Sequence, residues 1–241
     1  MTDHLAERLI PYIDYTNLDE QATTTDIETL CRQATTPKGN VAAVCVFPRY
    51  VAQCHTLLSH TGILIATVVN FPQGTDTLDR SCHLIEKVLL AGANEIDLVM
   101  PYSLFLAGKI KTVEDYLVTC EKHVHPQARL KIILETGELK TPLLIQTASQ
   151  LAIQCGADFL KTSTGKVPIG ATLEAASILL HTIQASGAPV GFKASGGIRT
   201  PTQAHQYFHL ASQYLPTPLT AKQFRLGASQ LLRALLTANS P

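Results

Sequence analysis

The chain has 241 residues, and its 19 basic and 19 acidic side chains give a formal net charge of zero. This balance excludes an overall electrostatic field that would hold the protein on nucleic acid or an anionic membrane, so an anionic ligand needs a local site. Hydrophobic residues make up 46% of the sequence and charged residues 16%, which excludes a disordered chain and is typical of parallel sheets buried on both faces. We expect a single domain spanning residues 1–241.

Six cysteines are scattered along the chain, without a CxxC pair or a His/Cys spacing typical of a metal site. We interpret them as reduced thiols and expect a cytoplasmic protein without a bound metal. The N-terminal segment is acidic and interrupted by Pro11, so it lacks the basic start and apolar stretch of a signal peptide. No stretch approaches the roughly 20 apolar residues of a membrane span, and we expect neither membrane nor nucleic acid as a partner.

Short β-branched runs alternate with longer helical patterns along the whole chain. The predicted strands are Tyr12–Thr16, Val41–Phe47, Ile63–Asn70, Glu95–Met100, Leu130–Thr136, Asp158–Thr162, Val190–Lys193 and Phe224–Gly227. Helix signals between them are caps at Thr141, Thr200 and Asp76 and a stop at Gly156. This alternation predicts a (β/α)₈ TIM barrel with a short extra N-terminal helix, and the alternative is a doubly wound open sheet.

A short sequence pattern is repeated at two of these strands. Asp97 and Lys161 each stand five residues after an equivalent helix-end glycine, Gly92 and Gly156. They fall on the fourth and sixth predicted strands, and side chains from alternate strands share a layer inside such a barrel. We therefore expect the two side chains to project inward at a similar height.

Lys161 lies near the end of a short apolar strand, in the segment DFLKTSTGK. A buried ammonium is costly unless it is paired or loses its proton, so such a lysine is a candidate nucleophile. The alternative is that Lys161 faces outward between helices and packs only its aliphatic stem.

Two further charged residues occupy similar positions. Lys193 repeats the arrangement one unit later, in VGFKASGG. Two inward ammonium groups about 6 Å apart would repel by about 3 kcal/mol at an effective dielectric of about 20, which favours a neutral amine on one of them. Asp97 lies within the apolar segment EIDLVMP and needs a buried partner, which either lysine supplies. A purely structural ion pair with Lys193 or Lys161 is the alternative for Asp97.

Glycine-containing turns follow both lysine strands and the last strand. Unobstructed backbone donors at the C-terminal face of a barrel form an anion site, and phosphate is frequently bound by the loops after strands 7 and 8. Gly196, Gly197 and Ser229 fall in those loops. The alternative is that each glycine serves only the geometry of its turn.

Weaker candidates have structural alternatives. Asp14 either binds a substrate hydroxyl or caps a first turn, and Cys45 is predicted to point inward, where a small buried apolar role is the commoner one. Thr164 is a secondary candidate in the turn after Lys161. Lys131 and Glu135 share a predicted strand face, so we expect them to pair with each other.

Taken in order, the segments IDYTNLD, AAVCVFPR, ATVVNFPQG, NEIDLVMPY, LKIILETGELK, DFLKTSTGK, VGFKASGGIRT and RLGASQLL resemble the deoxyribose-phosphate aldolase family. The resemblance covers nearly the whole chain. It implies a class I aldolase of deoxynucleoside catabolism, which cleaves 2-deoxyribose 5-phosphate to acetaldehyde and glyceraldehyde 3-phosphate.

The resemblance also implies roles for individual residues. Lys161 would form the Schiff base. Lys193 would stay protonated, lower the pKa of Lys161 and take part in proton transfer with Asp97 through an ordered water. The implied phosphate contacts are Gly165, Lys166, Gly196, Gly197 and Ser229. No metal or organic cofactor is required because the lysine supplies the electrophile. The expected partners are sugar-phosphate and aldehyde substrates and a second copy of the chain in a homodimer.

The sequence departs from the family pattern at three places. Ala194-Ser195 stands where proline and alanine often follow the second lysine, and Gln230 replaces a second serine, so phosphate affinity is expected to be adjusted. The last residues, 237–241, lack the tyrosine tail of some members, which predicts slower proton transfer at the acetaldehyde methyl group. The rival functions are another phosphate-binding Schiff-base barrel, of transaldolase or dehydratase type, and a non-catalytic barrel that binds sugar phosphates.

Overall fold

A computed structural model of the protein describes residues 7–237. Parallel strands form a closed barrel in which each strand pairs with the next along the chain and the last pairs with the first. The strands are β1 (Ile13–Asn17), β2 (Ala43–Val46), β3 (Leu64–Val69), β4 (Glu95–Val99), β5 (Arg129–Ile133), β6 (Phe159–Lys161), β7 (Gly191–Ser195) and β8 (Phe224–Ala228). The predicted (β/α)₈ barrel is confirmed, and the closing pair of β8 with β1 excludes the open sheet.

Helices connect the strands and surround the barrel. They are α1 (Thr24–Ala34), α2 (Val51–Leu58), α3 (Leu78–Leu90), α4 (Tyr102–Leu106), α5 (Ile110–Val124), α6 (Thr136–Leu139), α7 (Pro142–Gln154), α8 (Leu173–Ser186), α9 (Pro201–Tyr214) and α10 (Leu231–Thr237). Residues 7–9 are helical and run into a 3₁₀ turn, Ile10–Tyr12, which is the described part of the predicted N-terminal helix. The remainder of that helix and the predictions for residues 238–241 lie outside the described residues.

Side-chain caps determine where several helices begin. The hydroxyls of Thr141 and Thr200 accept the backbone N–H groups of the third residues of α7 and α9, as predicted, and Pro142 and Pro201 follow them. The predicted cap at Asp76 is wrong. Thr77 has the extended backbone of an N-cap and accepts the N–H of Arg80, whereas Asp76 lies one residue too early.

The predicted fifth strand, Leu130–Thr136, extends too far toward its C-terminal end. It ends at Ile133 because Glu135 adopts a left-handed backbone, with φ of 55°, and Thr136 already begins α6. A stretch of alternating apolar residues does not reveal this reversal, since φ above zero is uncommon outside glycine. The seventh strand, in contrast, runs two residues further than predicted, to Ser195.

Along β4, successive side chains point alternately outward to the helices and inward to the interior of the barrel. Ile96 and Leu98 pack in the apolar core between the barrel and the helices. Glu95 and Asp97 point the other way and meet buried cations inside the barrel. At β4, the inside of the barrel therefore holds charged side chains, whereas the layer between the barrel and the helices is apolar. Among residues 7–237, we find no helix with the length and apolar character that a membrane crossing requires.

Candidate active site

Lys161 is the last residue of β6, and its side chain is almost fully buried inside the barrel. Its ammonium nitrogen Nζ lies 2.7 Å from Oδ2 of Asp97, which projects inward from β4. The structure thus brings together Asp97 and Lys161, the two residues at equivalent positions of the repeated sequence pattern. The outward-facing alternative for Lys161 is wrong.

Lys193 occupies the neighbouring strand in direct register with Lys161. Its Nζ also lies 2.7 Å from Oδ2 of Asp97, and it contacts Asp14 on β1 as well. A single carboxylate oxygen therefore bridges two lysine side chains. The expected adjacency of two inward lysines is present, with an anion between them.

Burial and charge act differently on the two lysines. Burial lowers the pKa of Lys161, and Lys193 adds to this effect although Asp97 opposes it. Burial also disfavours the charged form of Lys193, but the carboxylates of Asp14 and Asp97 outweigh it and raise the pKa of Lys193. Asp97 keeps its negative charge despite burial because three lysines, Lys131, Lys161 and Lys193, hold its pKa well below the usual range. Of Lys161 and Lys193, Lys161 therefore loses its proton more readily.

A cavity of about 720 Å³ opens above this cluster at the C-terminal ends of the strands. Lys161 forms part of its lining, whereas Asp97 and Lys193 lie beneath the lining. The cavity is also lined by the residues expected to bind phosphate: Gly165, Lys166, Gly196, Gly197 and Ser229. Lys161 and the glycine turns line the same cavity, so a small ligand bound there can contact both.

Close backbone packing requires glycine at two positions of these turns, Gly170 and Gly196. The loop after β6 lies directly against the turn after β7, where Ala171 donates its N–H to the carbonyl of Gly196 at 3.0 Å. A Cβ atom at Gly170 would come within 2.4 Å of the Gly196 carbonyl oxygen, and one at Gly196 within 3.0 Å of Gly170 Cα. Side chains at these positions would force the two loops apart.

Hydrogen bonds fix the turn that follows Lys161. Thr164 donates its hydroxyl to Glu135 Oε2 at 2.5 Å, and its backbone N–H also points at that carboxylate. Ser195 donates its hydroxyl to the carbonyl of Ser163 at 2.5 Å. The serine that departs from the family pattern therefore ties the β6 and β7 loops together. Gln230, the second departure, lines the cavity.

The secondary candidates have distinct environments. Asp14 is fully buried and pairs with Lys193 and Arg225, so its interpretation as a first-turn cap is wrong. Cys45 points inward as expected, into a small apolar cluster with Leu18, Ala66 and Val68, and burial raises the pKa of its thiol. Its buried apolar role is the one that the structure supports.

Sequence analysis missed three charged partners of this site. Lys131 pairs with Glu95 at 2.5 Å and with Asp97 at 2.9 Å, not with Glu135 as expected. The pairing with Glu135 fails because its left-handed backbone turns that side chain toward Thr164. Arg225 on β8 reaches Glu95 at 2.8 Å. The available signal was the alternation of charged residues within otherwise apolar strands, in EIDLV and FRLGA.

The arrangement can perform nucleophilic amine chemistry. A neutral amine at the floor of an open cavity can attack a carbonyl carbon, and neighbouring charged groups can hold or move a proton. Within residues 7–237, no group of three His, Cys, Asp or Glu side chains is placed to hold a metal ion. Catalytic sites of TIM barrels lie at this C-terminal face, so the fold and the site define an enzyme.

Comparisons with known proteins identify the class of enzyme. The model of the DeoC/LacD family of aldolases matches residues 8–212, and the chain belongs to this family. It is therefore an aldolase, which is a lyase.

Solved structures agree with this assignment. A protein from Coccidioides immitis, provisionally assigned as a deoxyribose-phosphate aldolase, is 30% identical with a TM-score of 0.86 over 98% of this chain and 87% of its own. An aldolase called QR15 is 27% identical with a TM-score of 0.82, covering 95% and 96% of the two chains. The tetrameric deoxyribose-phosphate aldolase of Aeropyrum pernix is 26% identical with a TM-score of 0.78, covering 100% and 93%.

Proposed function

We propose that this aldolase reversibly cleaves 2-deoxy-D-ribose 5-phosphate to acetaldehyde and D-glyceraldehyde 3-phosphate through a Schiff base on Lys161, in the catabolism of deoxynucleosides. The observation that carries the proposal is the position of Lys161. It is a buried lysine with a lowered pKa, 2.7 Å from Asp97, in a cavity that the glycine turns also line. Matches to solved deoxyribose-phosphate aldolases support the choice of substrate.

In the cleavage direction, the neutral Lys161 amine attacks the sugar aldehyde, and loss of water gives an imine. The bond between C2 and C3 of the protonated imine then breaks as the C3 hydroxyl passes its proton through an ordered water to Asp97, so that C3 becomes the aldehyde of glyceraldehyde 3-phosphate. The electron pair of the broken bond moves toward the imine nitrogen and leaves a two-carbon enamine. A proton added at C2 and hydrolysis of the imine release acetaldehyde and restore Lys161.

Asp97 and Lys193 are proposed to handle the protons of these steps. Both lie within hydrogen-bonding distance of one another, and Asp97 also contacts the Lys161 nitrogen. The raised pKa of Lys193 keeps it a cation, and the low pKa of Asp97 keeps it a carboxylate that orients both lysines. We therefore propose that the charged pair holds an ordered water, which carries protons to and from the substrate.

The phosphate is proposed to lie on the turns after β6, β7 and β8. Gly165, Gly196 and Gly197 expose backbone there, Lys166 supplies a positive charge, and Ser229 supplies a hydroxyl. Holding the phosphate fixes the distance from the sugar aldehyde to Lys161, which converts a bimolecular encounter into a positioned one.

Reductive trapping tests the proposal. The protein is incubated with acetaldehyde, reduced with borohydride, digested and analysed by mass spectrometry. We expect a two-carbon ethyl group on Lys161, its loss in Lys161→Leu, and its retention in Lys222→Leu, which changes an exposed lysine. Absence of an adduct on Lys161 would count against the proposal. Phosphate binding without any adduct would favour a non-catalytic barrel, and trapping of a ketose phosphate but not acetaldehyde would favour a transaldolase-like reaction.

The proposal also covers the domain organisation, the oligomeric state and the cellular location of the protein. We propose that residues 1–241 act as one domain, that two copies form a homodimer, and that the protein works in the cytoplasm, where its buried free thiols stay reduced. Sedimentation equilibrium measures the assembly. A tetramer like that of the Aeropyrum pernix enzyme, or a monomer, would contradict the homodimer.

A further inference from the structure

Six buried side chains form a closed ring of alternating charge inside the barrel, each contacting the next. In order around the ring they are Asp97, Lys131, Glu95, Arg225, Asp14 and Lys193, which returns to Asp97. Every one of these residues is at most 1% exposed. Water therefore contributes little to stabilising their charges.

The contacts around the ring are short. Lys131 Nζ lies 2.9 Å from Asp97 Oδ1 and 2.5 Å from Glu95 Oε2. Arg225 lies 2.8 Å from Glu95 Oε1 through Nη2 and 2.6 Å from Asp14 Oδ1 through Nη1. Lys131 therefore occupies the carboxylate oxygen of Asp97 that does not face Lys161, which holds the other oxygen toward that lysine.

The ring is electrically balanced without Lys161. It contains three carboxylates and three cations, and Lys161 is attached to it from outside, at Oδ2 of Asp97. An ammonium on Lys161 would be a fourth buried cation with no carboxylate of its own. Burying an uncompensated charge is costly, so the neutral amine is the form of Lys161 that this balance favours. The lowered pKa of Lys161 agrees with this argument.

The other charged and titratable groups near the ring do not give Lys161 a carboxylate partner of its own. Cys45 faces Lys161 from β2, and burial raises the pKa of its thiol, which keeps it neutral. Glu135 approaches Lys161 from the end of β5, but the hydroxyl and backbone N–H of Thr164 bind its carboxylate, and it forms no ion pair with Lys161 within the described residues. Arg129 contacts Glu95 at 3.3 Å, but its side chain is 33% exposed, so solvent screens its charge.

We propose that Lys131, Glu95 and Arg225 are positioning residues for Lys161, and that the net charge of their ring sets the fraction of Lys161 that is neutral. This inference rests on the proposed function, in which neutral Lys161 forms the imine. It adds that residues on β4, β5 and β8, beneath the cavity lining, act on the reactive amine without contacting it.

The inference predicts opposite effects for two substitutions. Lys131→Met leaves the ring with one excess negative charge, which stabilises the Lys161 ammonium and moves the pH midpoint of imine formation upward. Glu95→Gln leaves one excess positive charge and moves the midpoint downward. Each shift is expected to be about one pH unit or more. The double variant restores the balance, and its midpoint is expected to return toward that of the unchanged protein.

The experiment measures the initial rate of ethyl incorporation at Lys161 from acetaldehyde and cyanoborohydride, by mass spectrometry, as a function of pH. Lys111→Met, at an exposed lysine, removes one positive charge from the protein without touching the ring, and its midpoint should not move. Arg225→Lys keeps the charge of the ring, so its midpoint should also stay near that of the unchanged protein. Circular dichroism and thermal unfolding establish that each variant is folded.

Opposite shifts that cancel in the double variant would support the inference, because a purely structural role would make the double variant the most impaired. Unchanged midpoints, or shifts of the same sign, would overturn it. If Lys131→Met does not fold, Glu95→Gln decides alone, since it keeps the shape of glutamate, and a midpoint that does not fall overturns the inference. Absence of an adduct at every pH in the unchanged protein would instead refute the proposed function.

Discussion

Lys161 and Lys193 share one carboxylate oxygen, Oδ2 of Asp97, at 2.7 Å each. The sharing is unequal because Lys193 has a second carboxylate partner, Asp14, and Lys161 has none among the ion pairs of the described residues. Two chemically identical side chains on adjacent strands thereby acquire opposite pKa shifts, upward for Lys193 and downward for Lys161. This difference makes Lys161 the one of the two that loses its proton more readily, while Lys193 stays a cation.

Replacing Lys193 with leucine removes a cation from beside Lys161. The Lys161 ammonium then loses a repulsive neighbour, so the free amine becomes scarcer at neutral pH and imine formation slows by about tenfold or more. The rate of borohydride-trapped adduct, followed against pH, should shift its midpoint upward, while inorganic phosphate binding stays unchanged. An unchanged pH dependence in the folded variant would show that the two charges are not coupled.

Gly170→Ala should separate the loops that we propose to hold phosphate. The added Cβ would lie 2.4 Å from the Gly196 carbonyl oxygen. We expect KM for 2-deoxyribose 5-phosphate to rise by about tenfold or more, and KM for unphosphorylated deoxyribose to change less. Gly62→Ala is the matched control, because Gly62 has φ of 75° and open space around it. It should cost about 1 kcal/mol of stability and leave both KM values unchanged.

Lys166→Met removes the proposed cationic contact of the phosphate. The ammonium of Lys166 donates to the backbone carbonyl of Leu18 at 2.7 Å, and both residues line the cavity. We expect the affinity for inorganic phosphate to fall by about tenfold and its salt dependence to weaken, while ethyl trapping at Lys161 persists. Titration calorimetry at two salt concentrations measures this. Equal phosphate affinity in Lys166→Met and in the exposed control Lys87→Met would remove Lys166 from the site.

His125 makes stability depend on pH at the opposite end of the barrel. Burial disfavours its charge, but Asp158 and Glu121 outweigh burial and raise its pKa. A raised pKa in the folded state gives stability that is complete below the unfolded value, near 6.5, and is lost as pH rises through the folded value. The difference in unfolding temperature between the unchanged protein and His125→Asn should therefore be largest in mild acid and shrink as the pH rises. A difference that grows with pH would contradict this assignment.

The local sequence pattern was sufficient to predict the strands of the barrel and to place Lys161 and Lys193 near the ends of two of them. It predicted Lys161 and Lys193 as partners of Asp97 but did not predict Lys131. It also missed the contact of Glu95 with Arg225, which joins β4 to β8 and arises only when the barrel closes. Pattern also failed where one residue decided the outcome, as in the cap at Thr77 and the backbone reversal at Glu135. Both depend on a single backbone torsion that neighbouring residues do not specify. The catalytic and phosphate-binding roles stay predictions until the trapping and binding experiments are done.

The charged ring also divides the chain into complementary halves. Its carboxylates, Asp14, Glu95 and Asp97, all come from β1 and β4, whereas its cations and Lys161 all come from β5 to β8. A fragment ending after β4 would carry an acidic interior, and the remaining fragment a basic one. Neither could bury its interior alone without leaving charges uncompensated. The two halves of the barrel thus neutralise each other's buried charges, and among these side chains Lys161 is the one basic group that the carboxylates of the first half do not balance.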